Sequence, residues 1–516
     1  MPRGDGASKR PPWVEVSETH SSSGQSQVST APRLILRYPL KKQTSVSTYS
    51  LGRNMSQEKG LAGGSLGTLE SAVMGVAGSA PAFSVAVTTA VIVASVGVLS
   101  VGSVLYCGLI MFGILFAFMN LNKMTAHAGA TYAWVGAVFG PRWGFFAGWG
   151  LLVASVIFMV SATIPAATST LKILSVMGWV DEATIENTTW VTCVSALWLT
   201  LVTIIVSKGI KHASYAQLIL TVIESVIVLA LIIGAFVEYG SKPAHPPSFA
   251  WVSPFSFSAE TFATGALTAI FFYWGWDVTM NLGEETKGGT PAPSSKGAFW
   301  SMVNLMLFYI IIVIVVLIVL TDEEIAQANT NVLYAVAEKL FPHPWSYLAV
   351  LSTVLSTIGT IETQILQFSR TLFAMSRDRV LNPRYSKIHP EWQTPWVATL
   401  TIWFLGVMLL FASSYLPSVK DILDKSISAI GFQICFYMSL AGFACAWYYR
   451  AMLTGSFMSA LTHIWWPLFS AMFMVFIAIL SALSFDPLTN LIGMGGLLLG
   501  FIPMLLNQRS MNKLQS

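Results

Sequence analysis

The chain has 516 residues, 54% of them hydrophobic and only 10% charged, against about 25% charged in soluble globular proteins. That composition excludes a string of soluble domains and points to a bundle of helices in a membrane. The net charge of +4 is modest, so the placement of the basic residues carries more information than their sum, and no nucleic-acid partner is expected.

Residues 1–65 are polar and Ser-rich around "SETHSSSGQSQVST" (Ser17 to Thr30), with no apolar core of the kind a signal peptide carries. They predict a disordered cytoplasmic tail retained on the protein. From Leu66 onward, twelve apolar runs are long enough to cross a bilayer core of about 30 Å, which takes roughly 20 helical residues. They fall near Thr68–Ala90, Gly97–Phe118, Trp143–Leu171, Trp190–Val206, Tyr215–Val237, Glu260–Gly283, Ala298–Leu320, Ser346–Thr371, Pro395–Ala412, Ser426–Tyr448, Ile464–Leu483 and Leu488–Leu506. The first two are nearly fused, because Phe83 to Phe118 contains no charge.

When alternate loops are assigned to alternate sides, only Lys172, Lys242, Lys339, Lys420 and Lys425 of the 28 Lys and Arg fall opposite the N-terminus. The positive-inside rule then places both termini in the cytoplasm of a multi-pass cell-membrane protein. Cys107, Cys193, Cys435 and Cys445 all lie in apolar runs and read as small buried side chains, with no disulfide framework. The seven histidines show no metal-ligand spacing, and no nucleotide loop or nucleophile elbow occurs. No cofactor, metal or enzymatic chemistry is expected.

Two runs are interrupted where a helix should be strongest. The first carries "MGVAGSAPAFS" (Met74 to Ser84), where Gly75 and Gly78 favour unwinding and Pro81 removes a backbone donor. The sixth carries "YWGWD" (Tyr273 to Asp277), also in mid-span. Breaks in the first and sixth of ten spans match two five-span halves, the pattern of a transporter with inverted repeats and a midplane site. The alternative for Gly75 to Pro81 is a notch for close helix packing.

Three further stretches carry a family resemblance. "AGATYAWVGAVFGPRWGFFAGW" (Ala128 to Trp149), "YWGWDVTMNLGEETKG" (Tyr273 to Gly288) and "SRTLFAMSRDRVLNPRYSKIHPEWQTPWVAT" (Ser369 to Thr399) stand in the order found in the amino acid–polyamine–organocation (APC) transporter superfamily. The chain resembles a member of it from about Leu66 on. The resemblance implies an all-α LeuT-like bundle of twelve helices, with inverted repeats over about 66–238 and 258–449. Helices one and six are broken, and two peripheral helices cover about 463–507. It also implies uptake or exchange of amino acids or organic amines. Many relatives hold the substrate carboxylate on backbone amides of a Gly-Ser/Ala-Gly run; here the run is "GVAGSAPA", and Arg379 stands where the family's "RDG" turn has glycine.

The substrate-binding candidates are therefore Gly75, Gly78, Ser79 and Ala80 in the first break and Trp274, Gly275, Trp276 and Asp277 in the second. Asp277 either accepts from a substrate ammonium or caps the half-helix that follows, and the two roles are compatible. Trp274 and Trp276 offer faces to a cation, or they pack between helices. Relatives can carry an ionisable residue in span five near a cation site between spans one and eight. Glu224 is accordingly the proton-coupling candidate, with a hydrogen-bonded structural role as the alternative. Thr357 and Thr360, on a polar stripe with Thr353 and Gln364, either ligate sodium or bond neighbouring helices. Glu362 is expected to face an inner vestibule. Glu70, Glu284 and Glu285 face the basic residues between Arg370 and Lys387, either as an inner gate or as a solvated rim. Together these features predict a secondary active permease for amino acids, proton-linked, with sodium as the alternative coupling ion. A polyamine or organic-cation carrier of the same fold is the alternative, and a non-transporting nutrient receptor a further one.

Overall fold

The structure, a computed structural model, describes residues 60–328 and 331–507. The tail expected over 1–65 lies outside the described residues as far as residue 59. Among the described residues the chain is helical, with a single isolated β-bridge between Leu66 and Thr286. In chain order the α-helices are α1 (Thr68–Ser79), α2 (Pro81–Val96), α3 (Ser100–Met124), α4 (Thr131–Phe139), α5 (Pro141–Val176), α6 (Thr188–Ser207), α7 (Ile210–Tyr239), α8 (Ala259–Phe272), α9 (Val278–Asn281) and α10 (Ala292–Val319). They continue as α11 (Asp322–Ala328), α12 (Val332–Leu340), α13 (Tyr347–Arg377), α14 (Trp396–Ser413), α15 (Val419–Tyr448), α16 (Phe457–Ala460), α17 (Trp466–Ser484), α18 (Pro487–Leu498) and α19 (Phe501–Leu506).

Local chemistry sets many of these limits. Asn187 accepts from the amides of Thr189 and Trp190 to start α6, Ser418 caps α15, and Asp486 accepts from Leu488 and Thr489 to start α18. Proline opens α2 and α5, where its missing N–H costs no helical bond. The long helices overrun the expected spans by up to about two turns, because apolarity marks the hydrocarbon layer while helices continue into its polar margin. Three short helices, α4, α11 and α12, fold from stretches expected to be loop.

Among the described residues, ten stretches are long and apolar enough to cross a membrane. Residues Thr68–Met124 count among them as one stretch, and the sixth apolar run is absent because its helix stops at Phe272. Burial sorts the stretches into layers. The most apolar windows of α5, α13 and α15 are each 78% buried, whereas those of α7 and α14 are 28% and that of Pro487–Leu506 is 22%. So α5, α13 and α15 form the centre of the bundle. The exposed faces of the outer helices are apolar, as with Ile219, Val226 and Ile233 on α7, and suit lipid. On the same α7, Glu224 is turned inward and only 5% exposed.

Candidate functional site

The two interrupted runs meet. The first helix stops at Ser79, and Ala80 adopts the left-handed conformation at φ 46°, which costs an alanine roughly 1–2 kcal/mol. Pro81 then starts α2. Opposite, the chain unwinds between Phe272 and Val278, with Gly275 at φ 110°. The two breaks touch backbone to backbone. A side chain on Gly78 would strike the Gly275 carbonyl, and one on Gly275 would strike the Gly78 carbonyl. Gly75 packs against Ser301 of α10 and Thr279 of α9. For these glycines the close-packing alternative describes the contacts. The strained residue is Ala80, in a position that composition alone does not mark.

Side chains from three other helices satisfy the freed backbone groups. Thr360 of α13 donates to the Gly78 carbonyl at 2.8 Å, and Tyr309 of α10 and Ser84 donate to the Ser79 carbonyl at 3.0 and 2.7 Å. On the other side of the break, the Ala82 amide donates to Glu224 Oε1 at 3.0 Å. The Ala80 amide is taken by Val76 and Ala77 of α1. Pro81 has no amide, so the amides expected to receive an anion here are largely spoken for by the protein itself. Of the two hydroxyls proposed for sodium, Thr360 reaches the first break, whereas Thr357 donates to Thr353 of its own helix.

Asp277 does not cap α9; its side chain makes no bond to the first turn. It is 1% exposed, and Oδ2 accepts from Gln367 Nε2 at 2.9 Å and from Tyr437 Oη at 2.7 Å. The indole of Trp274 donates to the same Tyr437 oxygen at 2.7 Å and sets its edge against Phe158. Gln367 also donates to Asn281, whose amide holds Ala128 O and Thr371. Trp276 is fully buried, edge to face with Phe118, and its indole N–H has no hydrogen-bond partner.

Several polar atoms around this junction are buried with no hydrogen-bond partner: Ser79 Oγ, Asp277 Oδ1, Gln367 Oε1 and both amide atoms of Gln364. Gln364 lies one turn from Thr360 and one turn from Gln367, on the α13 face that those residues turn toward the breaks. Buried polar groups are rarely left unpaired, and a polar ligand or water lodged here would satisfy these atoms. Sequence reasoning placed Gln364 on the polar stripe through its helical spacing. It had no local signal for Tyr437 or Gln367, which reach Asp277 only through the tertiary fold. Glu362 departs from expectation. It is 2% exposed, with Oε1 unpartnered, and does not stand on an open vestibule.

Beyond the second break, a charged lock closes one end. Glu285 and Arg370 are both fully buried and paired through two bonds, Nε to Oε2 at 3.0 Å and Nη2 to Oε1 at 2.9 Å. Glu284 pairs in the same forked way with Arg377 and also accepts from the Ala128 amide. Burial alone would push the Glu284 carboxyl up, but the Arg377 guanidinium overrides it and holds the group below the usual range. His127 Nε2 lies 3.0 Å from Arg377 Nη2 and 3.6 Å from Asp378, and its burial lowers its pKa from the ordinary 6.5. The segment before α1 is stitched across this end, with Ser65 and Leu66 amides on the Glu285 carbonyl and the Lys287 amide on the Leu66 carbonyl. Glu70 pairs with Lys287 and not with the basic residues between Arg370 and Lys387. The solvated-rim alternative therefore fits Glu70 but not Glu285.

Two broken helices thus meet inside the bundle, beside buried polar atoms without partners and a cluster of paired charges. Comparison with known proteins gives the family: the amino acid permease family model matches residues 66–506, and the chain belongs to that family. The chain is 25% identical over 307 residues to the serine/threonine exchanger SteT of Bacillus subtilis, covering 57% of this chain and 64% of the relative. It is 24% identical over 305 residues to the branched-chain amino acid permease BcaP of the same organism, covering 56% and 62%. Both alignments span a little under two thirds of the relative's length. The solved structure of MhsT in complex with L-phenylalanine superposes with a TM-score of 0.59 at 14% identity, covering 80% of this chain and 98% of that one, and so shares its fold.

Proposed function

We propose that the protein is a secondary active carrier that imports or exchanges amino acids across the cell membrane, coupled to protons. The observation that carries this reading is the junction of the two breaks, where Ser79, Asp277, Gln364 and Gln367 present unpartnered buried polar atoms. The family and its transporting relatives supply the class of cargo. In this reading Asp277 Oδ1 receives the substrate ammonium, Gln364 contacts a polar group of the substrate, and Trp274 forms a wall. Glu224 carries the coupling proton at the start of α2; sodium beside Thr360 is the alternative ion. The topology that goes with it has twelve spans and both termini inside. Thr68–Met124 supplies the first two, and α8, the unwound segment and α9 together supply the sixth. Spans one to five and six to ten form the inverted repeats. The Glu285–Arg370 lock closes the cytoplasmic end.

A second reading, a carrier of amines lacking a carboxylate, is favoured by one observation: the Ala82 amide at the first break already holds Glu224. One experiment addresses both. The purified protein is placed in proteoliposomes and offered a panel of amino acids and matched amines, with and without a pH gradient. Gradient-driven accumulation of amino acids supports the first reading, and accumulation of amines alone supports the second. Binding without uptake would sink both and leave a receptor.

A further inference from the structure

A groove of about 580 Å³ lies on the outside of the bundle, away from the junction, between the start of α5, the middle of α15 and the last two helices. Its walls are apolar: Phe146, Phe436, Leu497, Phe501 and Leu505. The Trp149 indole donates to the Gly496 carbonyl at 2.9 Å, and Gly500 sits where any side chain would strike the same indole, so the indole lies directly on the chain between α18 and α19. Phe146 and Phe501 then meet edge to face at 4.8 Å. Its wall from Leu497 to Leu505 covers roughly 12 Å at the helical rise per residue.

One end is charged. Arg142, in the first turn of α5, is exposed, lines the groove, and has no ion-pair or hydrogen-bond partner among the described residues. Trp143 beside it is 52% exposed, the place of an interfacial aromatic. An unpaired guanidinium above an apolar slot that opens to lipid matches one occupant in charge and shape. We propose that this groove binds an anionic phospholipid, its phosphate on Arg142 and one acyl chain between Phe146, Phe436 and Leu497. In the proposed topology it faces the cytoplasmic leaflet, where anionic lipids concentrate. Arginine suits the task because its fork binds phosphate in a bidentate way.

The test uses the full chain in nanodiscs holding equal amounts of dioleoyl phosphatidylglycerol and dioleoyl phosphatidylcholine. Native mass spectrometry counts the lipids retained on release. In parallel, phosphatidylglycerol with a photoreactive acyl chain is cross-linked and its attachment mapped. The wild type should keep one phosphatidylglycerol in preference to phosphatidylcholine, with cross-links on the peptides around Phe146 and Leu497–Leu505. Arg142→Gln, at an exposed position that folding tolerates, should weaken that preference about fivefold. Leu498→Trp, which fills the slot and leaves the charge, should remove the cross-links. Equal retention of the two lipids by wild type and Arg142→Gln overturns the headgroup assignment. Cross-links elsewhere, or protein–protein dimers in their place, overturn the groove assignment.

Discussion

The Glu285–Arg370 pair gives the sharpest prediction, because both partners are fully buried and joined by two bonds of 2.9–3.0 Å. Taking one partner away leaves the other charge in a dry site. Arg370 would keep only Ser369 Oγ at 3.1 Å. Breaking such a pair from one side costs about 3–5 kcal/mol, whereas replacing both partners by apolar residues of similar volume is often neutral. Glu285→Leu and Arg370→Met should therefore each lower the thermal midpoint of the purified protein sharply, and the double variant should recover most of the loss. Midpoints are read by fluorescence-detected size-exclusion after heating, at 0.15 M and 1 M salt (roughly 8 Å and 3 Å of screening length). The single-variant losses should not depend on salt, since the pair is shielded from water. Glu284→Gln serves as a reference. The Glu284–Arg377 pair keeps about a fifth of its side-chain surface exposed, with values of 23% and 22%, so its loss should be smaller and salt-dependent. A double variant as unstable as the two single losses added together would refute the argument, because the two sites would then act independently.

Four other outcomes follow from the site. Asp277→Asn keeps the shape of the side chain but not its charge, and should weaken aminated substrates about ten- to a hundredfold in equilibrium binding; an unchanged affinity removes Asp277 from the site. Gln364→Leu should reorder substrate preference in competition uptake, since it deletes two buried polar atoms; a uniform change in rate with the order kept would make Gln364 structural. Glu224→Gln retains a carbonyl for the Ala82 amide, so counterflow should persist while uptake loses its response to a pH gradient; continued pH-driven accumulation would rule Glu224 out. For His127, burial lowers the folded-state pKa, so the stability it contributes is present above its ordinary 6.5 and is lost as pH falls through the lower folded value. His127→Gln should flatten the thermal-midpoint profile just below pH 6.5; an unaltered profile would place the titration elsewhere.

How much of this was legible in the sequence depends on the range of the interaction. Ten apolar stretches were, because hydrocarbon demands roughly 20 apolar residues wherever a helix crosses it. The two breaks were, because Pro81 and Gly275 are local events with local backbone consequences. Roles that depend on a partner were not. Asp277 is followed by a helical turn and reads equally as a cap or a substrate contact, yet Tyr437 and Gln367 claim it from 160 and 90 residues away. Glu285 reads equally as a gate residue facing the Arg370–Lys387 cations or as rim charge, and only its full burial beside Arg370 excludes the solvated rim. Glu362 sits on a helix whose other faces carry threonines, and only packing shows that it meets no water. Ala80 is the plainest case: no propensity marks an alanine for the left-handed region, and the flanking Tyr309, Thr360 and Glu224 bonds hold it there.

Those same bonds tie the proposed coupling to the proposed binding. A helix that starts afresh in mid-membrane offers an N-terminus that favours negative charge. In "GVAGSAPA" the first residue of that helix is Pro81, which has no amide, and the second is Ala82, whose amide is held by Glu224. A substrate carboxylate arriving there meets a protein carboxylate already in place. Two like charges about 5 Å apart at an effective dielectric near 20 repel by roughly 3 kcal/mol, more than a hundredfold in affinity. A proton on Glu224 removes that repulsion and leaves the oxygen able to accept from Ala82. On the proposed reading, proton and amino acid therefore favour each other at one helix end. An amine without a carboxylate would feel no such help, so Glu224→Gln should strengthen the binding of amino acids and leave that of matched amines alone. Equal effects on the two cargo types would mean that the substrate carboxylate is held elsewhere and that the proton acts through some other group.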